Sequence, residues 1–191
     1  MQEFIDYLQD KLQLSALQTE MLKTRIVAQH FKKGEIRVNS AEFEGQLFYI
    51  RQGCCRSFYL KDGKDITFSF ALEGDLLVSI RSKATQKDYP EIIEFLEDTE
   101  AFSLKLPPID KAGKNFPQIT RFALNILYRY NIFLEERIIN LQCKTAKERY
   151  EWLLSKHPKL LQRAPLGHIA SFLGITPETL SRIRADKKKN L

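Results

Sequence analysis

Residues 166–191, LGHIASFLGITPETLSRIRADKKKNL, contain two short helical patterns followed by a basic end. The first pattern follows Pro165, which fits a first helical turn, and ends at Gly174, a residue type favoured just after a helix. The second has Thr176 as its N-cap and Pro177 at its first helical position. Two helices joined by a three-residue turn with a central glycine are typical of a helix-turn-helix.

Apolar residues at helical spacing supply an interior for this motif: Ile169, Ala170, Leu173, Ile175, Leu180 and Ile183. The second helix then exposes a polar face that suits the DNA major groove. Arg can bond in bidentate fashion to guanine, Glu can accept from the cytosine amino group, and Ser or Thr can bond to a base or a phosphate. The alternative is a generic helical hairpin with a solvated polar face.

The charge distribution supports a polyanionic partner for this part of the chain. From Leu141 onward, eleven Lys and Arg residues stand against four acids, a net charge of +7. The whole chain carries +6, so the first 140 residues carry −1. A basic C-terminal quarter beside a nearly neutral remainder is the asymmetry expected of a nucleic-acid-binding module.

The rest of the chain changes its pattern twice. Residues 1–28 have helical spacing, with a second short helix predicted from the N-cap Ser15, and residues 29–107 contain short β-rich runs separated by Gly and Asp. Asp62-Gly63 within KDGK predicts a tight hairpin turn. These features predict an N-terminal antiparallel β-roll with flanking helices, and the overall fold class is α+β.

A long helix is predicted from Phe116 to Leu141, followed by another from Thr145 to just before Pro158. The long helix is apolar on two faces, so it needs two partners, of which one can be the roll. We expect the other to be the same helix of a second subunit, with burial wholly within one monomer as the alternative. The face assigned to the dimer consists of Phe122, Ile126, Tyr130, Phe133, Leu134 and Arg137.

Other functional classes find little support. Two of the three cysteines are adjacent and the third is remote, and this spacing predicts small packed residues rather than a disulfide framework. A redox or iron–sulfur role is the alternative, although an iron–sulfur cluster held by four thiolates needs a fourth cysteine. His30, His157 and His168 form no metal or catalytic spacing, and no phosphate-binding glycine loop is present, so no enzyme, cofactor or metal is predicted. No apolar run suits a bilayer and no signal peptide is evident, so we expect a cytoplasmic protein without membrane contact.

Taken together, these motifs resemble the Crp/Fnr family of bacterial transcription regulators. IASFLGITPETLSRIR is the most specific part, and TAKERYEWLL resembles the helix that opens the family's DNA-binding domain. The resemblance implies a cyclic-nucleotide-binding-like jelly roll over residues 1–114, a dimerisation helix over 115–141 and a DNA-binding domain over 142–191. It implies a homodimer on a palindromic double-stranded operator, with RNA polymerase and a small-molecule effector as further candidate partners.

The resemblance also implies roles for residues of the tail. Base reading falls on Pro177, Glu178 and Arg182, although proline replaces a position that is often Arg or Ser. Only ADKKKNL follows the recognition helix, so the family's usual wing is expected to be missing and the basic stub to contact phosphates. The residues assigned to phosphates are Lys147, Thr176, Thr179, Ser181, Arg184, Lys187, Lys188 and Lys189.

The effector side departs from the family. EGDLL resembles the start of the family's ligand cassette, which makes Gly74, Asp75 and Leu76 candidate pocket residues. The family's Arg-Ser pair, which grips the phosphate of a cyclic nucleotide, is not found at the expected position, and Arg81-Ser82 lies too early in the register. Cyclic-nucleotide binding is therefore disfavoured. A ligand-binding roll that regulates a protein partner without contacting DNA is the alternative function.

Overall fold

The structure is a computed structural model that describes residues 1–38, 45–78, 89–106 and 117–189, with side chains to residue 186. Candidate pocket residues Arg81 and Ser82 and the predicted domain boundary at 114/115 lie outside the described residues. The described part combines seven helices with eight strands in two antiparallel sheets, and this confirms the α+β class.

Two helices precede the roll, as predicted. Helix α1 (Gln2–Leu12) buries one apolar face, and α2 (Ala16–Lys23) begins at a capping box. The Ser15 hydroxyl accepts from the Gln18 amide at 3.3 Å, and the Gln18 side chain accepts from the Ser15 amide at 2.9 Å. Such reciprocal bonds satisfy two of the amides that a helix start otherwise leaves unpaired.

The roll consists of two four-stranded antiparallel sheets with the orders β1-β8-β3-β6 and β2-β7-β4-β5. It begins at Ile26, three residues before the predicted start, because the second helix ends at Lys23. The predicted turn at Asp62-Gly63 is confirmed, with φ angles of 51° and 73°. The strands are β1 (Ile26–Phe31), β2 (Ile36–Val38), β3 (Gln46–Gln52), β4 (Cys55–Lys61), β5 (Lys64–Ala71), β6 (Leu76–Val78), β7 (Ile92–Phe95) and β8 (Thr99–Lys105).

The long helix α3 (Pro117–Cys143) packs against three parts of its own chain. Phe122 is buried in a cluster with α1, and the Phe133 ring lies edge-on to Phe68 of β5 at 5.6 Å between centroids. The buried Arg137 donates to the Phe172 carbonyl at 2.8 Å. The face assigned to a second subunit thus makes contacts within its own chain, although Ile126, Tyr130, Phe133 and Leu134 are only half-buried. Its role in a dimer stays a prediction.

The opposite face of α3 is apolar and exposed. Its large exposed residues are Leu124, Leu127, Tyr128, Ile132, Ile138 and Ile139, while Leu141 is exposed beside Gly174 of the C-terminal module. Sequence spacing showed that the helix is apolar on two faces, but it did not show which of them the chain would cover. The folded chain therefore leaves an apolar stripe on the side of α3 that faces away from the roll.

Four more helices form the C-terminal module: α4 (Ala146–Lys156), α5 (Leu160–Arg163), α6 (Leu166–Leu173) and α7 (Pro177–Lys189). Thr145 caps α4 through a reciprocal pair with Glu148, and the helix ends before Pro158, as predicted. Leu153, Ile169, Leu173 and Leu180 are almost fully buried in one shared cluster. This common core fixes the relative positions of the two helices whose pattern opened the sequence.

Candidate nucleic-acid interface

The turn between α6 and α7 has the geometry expected of a helix-turn-helix. Gly174 adopts φ 65°, which is favourable for glycine and costly for other residues. The Ile175 amide donates to the Ala170 carbonyl at 3.0 Å, which closes the end of α6 as in a Schellman motif. The Thr179 amide then donates to the Thr176 hydroxyl at 3.2 Å, so Thr176 is the N-cap predicted for α7.

The first two turns of α7 present a polar, solvent-facing surface. Pro177, Glu178, Ser181 and Arg182 are exposed, whereas Leu180 is buried in the core. Glu178 and Arg182 are four positions apart, which places them one above the other on one face of the helix. The structure therefore brings together the three residues to which base reading was assigned, and the part of the chain that it describes leaves them exposed.

The Glu178 carboxylate is hydrogen-bonded at the start of its own helix. Its own backbone amide and the Thr176 hydroxyl lower the pKa of the Glu178 carboxyl below its ordinary value, so the side chain is ionised at neutral pH. An ionised carboxylate can accept from a cytosine amino group once it turns outward. The same bonds give Thr176 a structural part as well as the phosphate contact that the sequence predicts.

The residues assigned to phosphates surround this face unevenly. Lys147 is exposed in the first turn of α4, and Thr179 and Arg184 are half-buried on α7. Lys187, Lys188 and Lys189 fall within the last turn of α7, and their side chains lie outside the described residues. Of the polar side chains assigned on α7 that the structure describes, Ser181 is exposed and Thr179 and Arg184 are partly accessible.

The candidate effector residues form a turn between two strands. The Asp75 carboxylate accepts from the Leu72 amide at 2.8 Å and so closes the turn, while burial raises the pKa of this carboxyl. Gly74 is exposed with φ 87°, and Leu76 begins β6. A cleft of about 240 Å³ lies elsewhere, between the end of α1 and the start of α3, and is lined by Lys11, Arg121, Phe122 and four other residues.

The cysteines are packed or solvent-facing. Cys54 and Cys55 are fully buried, and burial raises the pKa of Cys54 to about 12 and the pKa of Cys55 well above its usual range. A thiol that stays protonated is a weak nucleophile and a weak metal ligand. Among the described residues, no cluster of three or more His, Cys, Asp or Glu side chains could hold a metal ion.

The chain is similar in sequence and in fold to known transcription regulators. The chain is 25% identical to the transcriptional activator protein Anr of Pseudomonas aeruginosa over 164 residues, which cover 80% of this chain and 66% of that protein. It matches FixK2 from Bradyrhizobium japonicum with a TM-score of 0.68 at 22% identity, over 86% of this chain and 85% of that chain. It matches a putative transcriptional regulator of the Crp/Fnr family from Eubacterium rectale with a TM-score of 0.69 at 18% identity, over 95% of this chain and 87% of that chain. The resemblance to the Crp/Fnr family is confirmed.

The Crp/Fnr likeness covers more of this chain than of its curated relatives. The chain spans 66%, about two thirds, of the length of Anr. No protein-family model matches the chain. Anr is named a transcriptional activator. Within the described ranges, no helix has both the length and the apolar character needed to cross a bilayer.

Proposed function

We propose that this chain is a cytoplasmic, sequence-specific DNA-binding transcription regulator of the Crp/Fnr type. The observation that carries the proposal is the exposed face of Pro177, Glu178 and Arg182, which is held in place by a capped and packed helix-turn-helix. A recognition helix must offer donors and acceptors to base edges while its other side is anchored in a core. Helix α7 meets both conditions.

We further propose that the regulator acts as a homodimer through the exposed stripe of α3. Six large apolar side chains on one helix are unusual on the surface of a monomer and are typical of a helix–helix interface. A two-fold dimer would direct its two recognition helices into successive major grooves of a palindromic site. RNA polymerase and an effector, the other partners that the resemblance implies, stay predictions.

The basic end of α7 provides a test of DNA binding. Replacing Lys187, Lys188 and Lys189 by glutamine should weaken binding to all duplexes alike, because phosphate contacts carry no sequence information. The slope of log Kobs against log salt should become shallower by about 0.9 for each phosphate that the variant no longer neutralises. Fluorescence anisotropy of labelled duplexes over a range of salt concentrations measures both effects.

The matched control replaces three exposed lysines of the roll, Lys32, Lys33 and Lys105, with the same change in net charge. This control should leave the salt slope unchanged. An equally shallow slope in both variants would mean that net charge alone attracts the duplex. Salt-independent binding, or none, would favour the alternative of a regulator that acts on a protein partner.

A further inference from the structure

The C-terminal module is joined to the outer edge of the roll. Among the described strands, β5 lies at the edge of its sheet, so no described strand pairs with the backbone groups along one side of it. The Ser171 hydroxyl of α6 accepts from the Thr67 amide at 2.9 Å and donates to the Asp65 carbonyl at 3.0 Å. The Phe70 and Phe172 rings also meet, at 5.4 Å between centroids. Helix α6 therefore covers the edge of the sheet where another strand would otherwise add.

A single arginine links the same module to the turns at one end of the roll. Arg163, the last residue of α5, makes a bidentate contact with Glu73, with both N–O distances at 2.7 Å. Its Nη2 also donates to Glu97. Glu73 in turn accepts from the Gly53 amide at 2.9 Å. Three turns of the roll, before β4, between β5 and β6, and between β7 and β8, thus converge on one guanidinium.

The geometry of this contact is that of a strong ion pair. A bidentate Arg–carboxylate bond fixes orientation as well as distance, which a single contact to lysine does not. The hydrogen bond from Arg163 lowers the pKa of the Glu73 carboxyl to about 2, so the acid stays ionised at any physiological pH. Arg163 is half-buried and Glu73 is exposed, so salt screens this pair in part.

We propose that Arg163 is a positioning residue for DNA binding: its ion pairs with Glu73 and Glu97 set the orientation of the helix-turn-helix module on the roll. The inference rests on the proposed function. The docked module leaves Glu178 and Arg182 exposed, so the contact does not occlude the recognition face. A module held in one orientation loses less freedom when both halves of a dimer must reach successive grooves.

Glu73 also lies next to the candidate effector turn. Glu73 immediately precedes Gly74 and Asp75, the turn that resembles the start of the family's ligand cassette. In this chain the turn is closed by its own Asp75 and is bonded through Glu73 to the DNA-binding module. The candidate effector turn and the DNA-binding module are therefore joined by the Arg163–Glu73 ion pair.

The test replaces Glu73 by glutamine in the full chain and measures affinity for a palindromic duplex and for a duplex with one half-site. Removing an acid makes the protein more positive, which alone should tighten binding to DNA. The positioning role requires the opposite effect on the palindrome, a loss of affinity of about five- to tenfold, which is the lower end of the usual range for coupling between sites. The half-site affinity should stay the same or rise, because a single module needs no fixed orientation.

Glu100→Gln is the matched control, since Glu100 pairs with Arg51 inside the roll and makes the same change in charge. It should leave the ratio of palindrome to half-site affinity unchanged. A general loss of structure would lower both affinities and so would not change that ratio. Arg163→Gln tests the other side of the pair and should reproduce the selective loss. An unchanged ratio in both Glu73→Gln and Arg163→Gln would overturn the proposal.

Hydrogen exchange tests the docking contact without DNA. Because the Thr67 amide is bonded to Ser171, it should exchange faster in Arg163→Gln, while amides of β3 and β8 in the other sheet should not change. Unchanged exchange at Thr67 would overturn the role of Arg163 in holding the module. If the wild-type chain bound no DNA, the proposed function and the positioning role would fail, and faster exchange would show only that Arg163 docks the module.

Discussion

Replacing Leu127 and Ile138 together by aspartate should convert a dimeric protein into a folded monomer. Both side chains are on the exposed stripe of α3, at 38% and 55% exposure, so a single chain can hydrate the new carboxylates at little cost. In a dimer the same carboxylates would be buried in an apolar interface without partners. Burying an unpaired polar group costs about 2–7 kcal/mol of free energy, and burying a charge costs more. Binding to a palindrome should fall to that of a single half-site.

Light scattering reports the mass, and circular dichroism reports whether the fold is kept. Asn125→Asp is the matched control, because Asn125 is exposed on the same helix but is not one of the apolar residues of the stripe. Phe133→Asp should behave differently from both: its ring packs against Phe68, so a carboxylate there should lower the melting temperature rather than only split the dimer. An unchanged dimer in the Leu127 and Ile138 variant would place the interface elsewhere.

Arg182→Ala should have the second-largest effect, a loss of about 1–3 kcal/mol for each half-site together with a relaxed preference at one base pair. Arg182 is exposed one turn beyond Glu178 and makes no ion pair within the described part of the chain, so its removal leaves the fold intact. The weaker binding arises because alanine cannot replace a bidentate bond to guanine. Competition between duplexes that differ at single positions measures the preference.

Arg184→Ala is the control for this experiment, because Arg184 is assigned to a phosphate and its removal should weaken binding to all duplexes equally. The opposite pattern, with Arg184 setting base preference and Arg182 acting uniformly, would exchange the two roles. A uniform effect of both residues would mean that α7 does not read bases through Arg182.

Local features of this fold were predictable from the sequence because their causes lie within a few residues. The capping box of Ser15 and Gln18, the Asp62-Gly63 turn and the Gly174 turn each depend on side chains at most four positions apart. The candidate recognition face followed from the same short-range rules. Its exposed positions are set by one turn of α7 and by the burial of Leu180.

Long-range features were not predictable in this way. Arg163 and Glu73 are separated by 90 positions, and no periodicity links a basic residue at a short helix to an acid in a distant turn. The two apolar faces of α3 look alike in sequence, so only the folded chain shows that Phe122 is buried and that Phe133 packs against Phe68. The hydrogen bond from the Leu72 amide to the Asp75 carboxylate was likewise not predicted, and the assignment of Asp75 to a pocket stays a prediction.

Selection of bound sequences from a random pool of duplexes is the most direct test of the proposed function. The wild-type chain should enrich a palindrome whose half-sites are centred about one helical turn, roughly 34 Å, apart on one face of the duplex. Binding to the enriched sequence should be tighter than binding to the random pool by a factor of at least about 10³. Failure to enrich any sequence, or enrichment of a single unrepeated site bound by one chain, would contradict a dimeric regulator that reads DNA through α7.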